Sequence, residues 1–359
     1  YKGVWIMAYI TFQPSDHFAA IKYTGTGSSN AITGVGHQPD FLWIKTANGA
    51  EHHILIDAVR GLDKQIYSSH SSSQDTNAQS VTAVGADGFT VGTNAQTNAN
   101  GSIFIAQTWK AGGGAGSSNT DGTINTISTS VNTTAGISIS TYTGNATQGA
   151  TLGHGLGVAP KAIIIKSYTN AEAWVVGQDK MNSTNAWDYY MNLNSTAARG
   201  QNNNRFGNVY PTNQVFTLGN EDQVNSSSKS YVAYCFAEKK GFSKFGTYQG
   251  NGNADGVFVY TGFKPAWLMT KYAHSGGTGS WLMYNAGLNP TNKSQFFHHE
   301  ANTTASWVDN TDRVDFLSNG FKFRDSTNSD SNTSGGYYVY MAFAEEPLVS
   351  SNNIPATAR

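Results

Sequence analysis

The sequence predicts an all-β protein built of three tandem, similar, antiparallel β-sandwich-like modules. Three observations predict it: four landmarks that recur three times in the same order, a composition suited to strands, and short apolar runs bounded by Gly, Asn and Ser along the whole chain.

The landmarks come first. Each copy opens with Tyr-x-Gly, at Tyr23-Thr24-Gly25, Tyr142-Thr143-Gly144 and Tyr248-Gln249-Gly250. A Gly-x-x-Pro signal, five mostly apolar residues and a Lys follow 13, 15 and 14 residues later, at Gly36 to Lys45, Gly157 to Lys166 and Gly262 to Lys271. An alternating apolar run comes third, around Phe89, Phe216 and Phe321. Each copy closes on an aromatic and aliphatic strand: Ile103-Phe104-Ile105-Ala106, Tyr231 to Glu238 and Tyr338 to Glu345. Copies of roughly 90 to 110 residues are too long for solenoid rungs and long enough for small modules.

Composition comes second. Charged residues make up 13 % of 359, about half the usual quarter. Asn, Ser, Thr and 39 Gly take their place, which favours strands and turns over helices. The one stretch that suggests a short helix is residues 51–67.

The runs and their gaps give the division. Residues 1–20 read as an N-terminal arm, 21–110 as the first module and 111–134 as a Gly/Ser/Thr-rich flexible linker. Residues 135–240 and 241–347 form the second and third modules, and 348–359 a tail. The tie Glu238 to Phe245 is tight, so modules two and three should pack together. An extended arm around Phe12 to Phe18, with exposed aromatics, could dock onto a neighbouring protein.

Charge and cysteine content narrow the function. A net charge of −1 with scattered Lys and Arg offers no nucleic-acid face. No apolar stretch approaches the ~20 residues of a membrane span, so no membrane insertion is expected. The start of the chain lacks the pattern of a secretory signal. A single cysteine, Cys235, excludes an intrachain disulfide and reads as a buried, inert thiol, which fits assembly in a reducing cytoplasm.

Catalytic patterns are weak. Glu345-Glu346 reads as a charged strand end, not an acid/base pair. His52-His53 and His298-His299 are adjacent pairs, whose side chains point to opposite faces of a strand and so do not chelate one ion. Asp57 and Arg60 suggest a structural contact within the first module. No cofactor and no metal is expected. The residues most suited to a ligand are Trp187, Tyr189 and Trp307, aromatic rings in variable loops flanked by Asn and Asp, where a sugar ring could stack; packing at a module or subunit seam is the competing role.

Several stretches resemble a known group. Met7 to Asp16, Tyr23 to Lys45, Gly153 to Lys161, Tyr231 to Glu238 and Asn353 to Arg359 are similar to proteins of marine tailed phages, virion structural proteins of the tail-fibre or appendage kind. Tyr1 to Ile6 departs from that pattern. The resemblance implies a virion protein, assembled in the host bacterial cytoplasm, with other virion proteins as partners and no catalytic residues. The expectation is therefore a non-enzymatic tail fibre or capsid decoration that contacts a host surface glycan or protein. A homo-oligomer is expected, a trimer being the usual fibre solution. The alternatives are a carbohydrate-binding adhesin of lectin type and, below it, a polysaccharide depolymerase, which would need two carboxylates facing across a groove.

Overall fold

The computed structural model describes residues 10–274, 276–288, 297–308, 313–326, 330–345, 348–349 and 355–356. Residues 1–9 of the arm, Glu346 and most of the tail lie outside the described residues.

The first module contains β1 (Phe18–Thr24), β2 (Asn30–Thr33), β3 (Phe41–Thr46), β4 (Ile54–Asp57), β5 (Gly61–Tyr67), β6 (Asp75–Thr76), β7 (Ala83–Gly85), β8 (Gly88–Val91) and β9 (Ile103–Trp109). The second contains β10 (Ser128–Asn132), β11 (Ile137–Thr143), β12 (Ala150–Gly153), β13 (Ala162–Ser167), β14 (Val175–Gln178), β15 (Tyr189–Asn192), β16 (Gly200–Gln201), β17 (Val215–Leu218) and β18 (Ser230–Phe236). The third contains β19 (Ser243–Gln249), β20 (Phe258–Tyr260), β21 (Trp267–Tyr272), β22 (Trp281–Asn285), β23 (His298–Glu300), β24 (Val314–Leu317), β25 (Gly320–Phe323) and β26 (Tyr337–Phe343). Among the described residues the α-helices are single turns: α1 (Ala95–Asn98), α2 (Asn203–Phe206) and α3 (Asp222–Asn225).

The topology repeats with the landmarks. The large antiparallel sheets share one order: β1-β9-β3-β4-β5, β11-β18-β13-β14-β15 and β19-β26-β21-β22-β23. Each closing strand therefore lies between the first strand and the Lys-ended strand. A small sheet faces each large one: β2-β8-β7, β12-β17 and β20-β25-β24. Ile32, Phe89 and Val91 fill the space against Leu42, Ile44 and Ile56 in the first module; Val259, Phe321 and Phe323 do so against Leu268, Leu282 and Tyr340 in the third.

Each landmark has a backbone cause. Gly36, Gly157 and Gly262 have φ of +81°, +70° and +86°, a left-handed turn that glycine enters without steric cost. At Gly25, Gly144 and Gly250 a Cβ would collide with the backbone oxygens of Ala99, Ser226 and Thr333, so the loop before the closing strand can lie against the chain there. The tyrosines two residues earlier donate to carbonyls in the same loop: Tyr23 to Thr97 at 2.7 Å, Tyr142 to Val224 at 2.6 Å and Tyr248 to Ser331 at 2.8 Å.

The large sheets bury both faces. Along β3, Leu42 and Ile44 face the small sheet, whereas Phe41 and Trp43 join a core shared by all three modules. That is why β3 reads as a continuous apolar run without alternation. At the centre Trp109, Phe236 and Phe343, the last residues of the three closing strands, form a triangle with ring centroids 6.4, 5.7 and 5.8 Å apart. The modules thus surround an approximate threefold axis.

Three expectations change. Residues 51–67 form β4 and β5 instead of a helix; Ile54, Leu55 and Ile56 are buried on both faces, so their run carries no period. The Gly-rich segment 111–134 is structured: Gly112 and Gly113 N–H groups donate to Ser130 Oγ and Asp40 Oδ2, and β10 extends the second large sheet beside β11. Phe12 to Phe18 does not present free aromatics. Phe12 packs edge-on against Phe242 at 5.3 Å, and Phe18, fully buried, stacks on Phe343 at 5.4 Å. Aromatic side chains this close to the chain's own core gain more by entering it than by staying in water.

Candidate functional site

The three seams between modules use one device three times. The Lys that ends each apolar landmark is buried, and its ammonium donates to carbonyls of its own turn and of the next module. Lys45 reaches Thr46 and Gly49, then Thr304 of the third module at 3.3 Å. Lys166 reaches Ser167 and Asn170, then Ser71 of the first at 3.1 Å. Lys271 reaches Gly279, then Thr196 of the second at 2.9 Å. Burial pushes these ammonium groups down, Lys166 to about 7 and Lys45 and Lys271 to about 8.

A second set runs in the same direction. Trp174 Nε1 donates to Tyr67 O at 2.8 Å and Trp281 Nε1 to Asn192 O at 2.9 Å. In the first module His53 takes that place: its Nδ1 accepts from Trp43 Nε1, leaving Nε2 to donate to Glu300 O at 3.1 Å. The acceptors end β5, β15 and β23, so first holds third, second holds first and third holds second, and the ring closes. Lys166→Met should strand three carbonyls and cost about 1–3 kcal/mol, read from the urea midpoint. An unchanged midpoint would remove the lysine from the seam's energetics.

Nearer the axis, Asp57 holds Arg60 at 2.7 Å, the intramodule contact read from the sequence, and also accepts from Tyr234 of the second module at 2.7 Å. Gln107 donates to Asn285 at 2.8 Å and Gln178 to Tyr340 O at 2.8 Å, bridging first to third and second to third. Cys235, fully buried, has its thiol pushed up to about 12 by desolvation.

One buried asparagine in each module ties its loops together, a repeated feature without a motif of its own in the landmarks. Asn98, Asn225 and Asn332 donate to Gly92, Gly219 and Asp325 carbonyls, and to Ser28, Thr147 and Asn253 carbonyls. Their Oδ1 atoms accept from the N–H groups of Thr26, Asn145 and Asn251. Each lies five residues before its closing strand, and that constant offset is the signal in the sequence. Asn225→Ala should cost roughly 2–3 kcal/mol, because buried backbone groups lose their partner. Thermal unfolding unchanged within a degree would contradict it.

The residues expected to meet a ligand are dispersed. Trp187 is inside the second module, 1 % exposed, edge-on to Phe206 at 5.3 Å, with no ring face open to solvent. Tyr189, half-buried, lies under the Arg199 guanidinium at 4.8 Å, and the same guanidinium caps Tyr337 of the third module at 5.3 Å. Trp307 stacks on Phe297 at 4.2 Å, and its backbone N–H donates to Ala47 of the first module. Tyr189 and Trp307 thus lie on two different seams.

The histidine pairs diverge as expected of adjacent residues. His298 faces Tyr284, while His299 faces His53 at 6.1 Å. Among the described residues no group of three His, Cys, Asp or Glu side chains could hold a metal ion.

The open surface offers two features. A cleft of about 370 Å³ lies on the seam of modules two and three. In it Lys161 and Lys180 approach Asp179 at 2.9 and 3.7 Å, and Lys244 approaches Glu238 at 2.6 Å. Paired charges of this kind can hydrogen-bond hydroxyl or anionic groups. The second feature is exposed apolar side chains: Ile127, Val158, Val209, Tyr210, Phe258 and Tyr260.

No curated protein and no solved structure matches the chain. One family model, described as a domain of unknown function (DUF7483), matches residues 13–347. That span runs from just before β1 to just past β26 and takes in all three modules, so the chain belongs to the DUF7483 family.

Proposed function

We propose that this chain is a non-enzymatic structural protein of a phage virion, a fibre or surface decoration that binds other virion proteins and contacts the host surface. The observation that carries this reading is the threefold seam. Buried Lys45, Lys166 and Lys271 hold one module to the next in matching positions, and His53 and Asp57 of the first module add contacts across its seams. The resemblance to phage appendage proteins supports the same reading. One chain supplies three similar units around an axis, the arrangement a trimeric fibre builds from three chains, and its assembly with further copies belongs to the proposal. The virion is its place of action after folding in the host cytoplasm.

Two features favour host glycans as one contacted surface: exposed Tyr210, whose hydroxyl is held by Thr184 O, and the charged cleft at Asp179 and Glu238 both suit hydroxyl-rich ligands. Antibody against the purified chain should label intact particles in electron micrographs. Purified chain should also compete with particles for adsorption to host cells. Particles that lack the protein by mass spectrometry would overturn the virion reading; hydrolysis of a host polysaccharide by the pure chain would overturn the non-enzymatic one.

A further inference from the structure

The three modules provide an internal comparison at the outer strand of each small sheet. Ile32, Leu152 and Val259 occupy one position, each paired with the landmark Phe and each buried. Their outward neighbours differ. They are Ala31 and Thr33 in the first module, Thr151 and Gly153 in the second, and Phe258 and Tyr260 in the third. Phe258 and Tyr260 are 44 % and 60 % exposed. The fold does not demand aromatics there, since the other two modules fold without them.

The edges differ too. Phe323 N–H donates to Val257 O, so alternation turns the backbone groups of Phe258 and Tyr260 away from β25. By the same register Ala31 and Thr33 turn theirs away from β8. In the second module the chain itself closes this edge: Ile124 forms a parallel bridge with Leu152, its N–H donates to Thr151 O at 3.0 Å, and Thr151 N–H donates to Thr123 Oγ1 at 2.8 Å. Among the described residues β2 and β20 each pair on one side only. An uncovered edge is a template for another strand.

The two open edges are complementary. Across β2, β8 and β7 lies a shallow groove of about 230 Å³ that starts at the β2 edge; small side chains such as Ala31, Thr33, Ala83 and Thr90 line it, with Asp87 and Phe89 also in its wall. Beside β20 stand two aromatic rings. The geometry points to head-to-tail self-association: β20 of one copy pairs with β2 of the next, with Phe258 and Tyr260 seated in the groove of that second copy. The contact is heterologous, so copies add in a row or a ring, and the covered edge of β12 keeps the second module out of it. This inference rests on the proposed role in an assembly and names the surfaces that build it.

Sedimentation velocity from about 1 to 100 µM tests it, a range that reaches weak interfaces. The wild-type chain should form concentration-dependent oligomers. Tyr260→Lys and, independently, Ala31→Lys should each raise the midpoint concentration about tenfold or more, by placing an ammonium at the edge. Thr33→Lys and Phe258→Lys are second variants for each side, and circular dichroism confirms folding of all four. A mixture of a β2-edge variant with a β20-edge variant should give one-to-one complexes and nothing larger, because each retains one intact edge of opposite kind. A wild-type chain that stays monomeric throughout would overturn the proposal. So would oligomers indifferent to both sets of lysines, or a monomer whose Tyr260→Lys variant loses glycan binding instead. Antibody labelling of particles is independent of this contact, so the virion reading can stand or fall separately.

Discussion

Asp57→Ala is expected to lower the unfolding free energy by about 3–5 kcal/mol, as removal of one partner from a buried ion pair does. Asp57 Oδ2 holds Arg60 Nε, and Oδ1 accepts the N–H groups of Val59 and Arg60. Tyr234 of the second module donates to the same carboxylate. Both charged side chains are essentially withdrawn from water. Alanine leaves the guanidinium without its counter-charge and the phenol without its acceptor, so one substitution opens the first module and its seam together. In an Arg60→Met background the same change should cost clearly less, since no charge is stranded. Urea unfolding of the four proteins of this cycle reads the coupling. An Asp57→Ala loss below about 1 kcal/mol would refute the argument.

Acid should weaken the seam between modules one and three. Burial drives His299 down to about 3 and His53 well below its ordinary value, with Lys45 and the neighbouring histidines acting in the same direction. Backbone hydrogen bonds to Glu300 and Ala47 oppose this but are outweighed. Both rings are therefore neutral in the fold, while the unfolded chain takes up protons below about 6.5. Between about pH 6.5 and 3 the unfolded state binds more protons, so stability is present above that window and falls as pH falls through it. For His299 the slope is about 1.4 kcal/mol per pH unit, or roughly 2–3 kcal/mol by pH 4.5, and His53 acts in the same direction. Urea midpoints at pH 7 and 4.5 should separate accordingly. His299→Leu should flatten the slope by one histidine's share. A variant whose pH dependence overlays the wild type would show that His299 does not carry it.

The repeat and the β class were legible because the landmarks answer local demands. Gly36, Gly157 and Gly262 satisfy a left-handed turn, and Gly25, Gly144 and Gly250 a close backbone approach, each set by a few neighbouring residues. Apolar runs of strand length announced β3, β13 and β21. The short helix at 51–67 failed because a strand buried on both faces has lost the alternation that would identify it. The Gly-rich run 111–116 differs from its linker-like composition for another reason: its partner Asp40 is 73 positions away, and Ser130 sits in a polar stretch that nothing local marks as a strand. Trp187 and Trp307 carried a sugar-binding composition, yet the partners that cover them, Phe206 and Phe297, are not readable from their immediate neighbours.

By itself the sequence determined that one β unit occurs three times, where its turns fall and which strands are apolar. Only the tertiary structure decided that the three units close around an axis, with Trp109, Phe236 and Phe343 at the centre and a lysine across every seam. The physical reason is range. A turn is set by the φ of one residue, but the ammonium of Lys45 finds its third carbonyl at Thr304, 259 positions away, on an unremarkable loop whose backbone oxygen carries no mark in the amino-acid code.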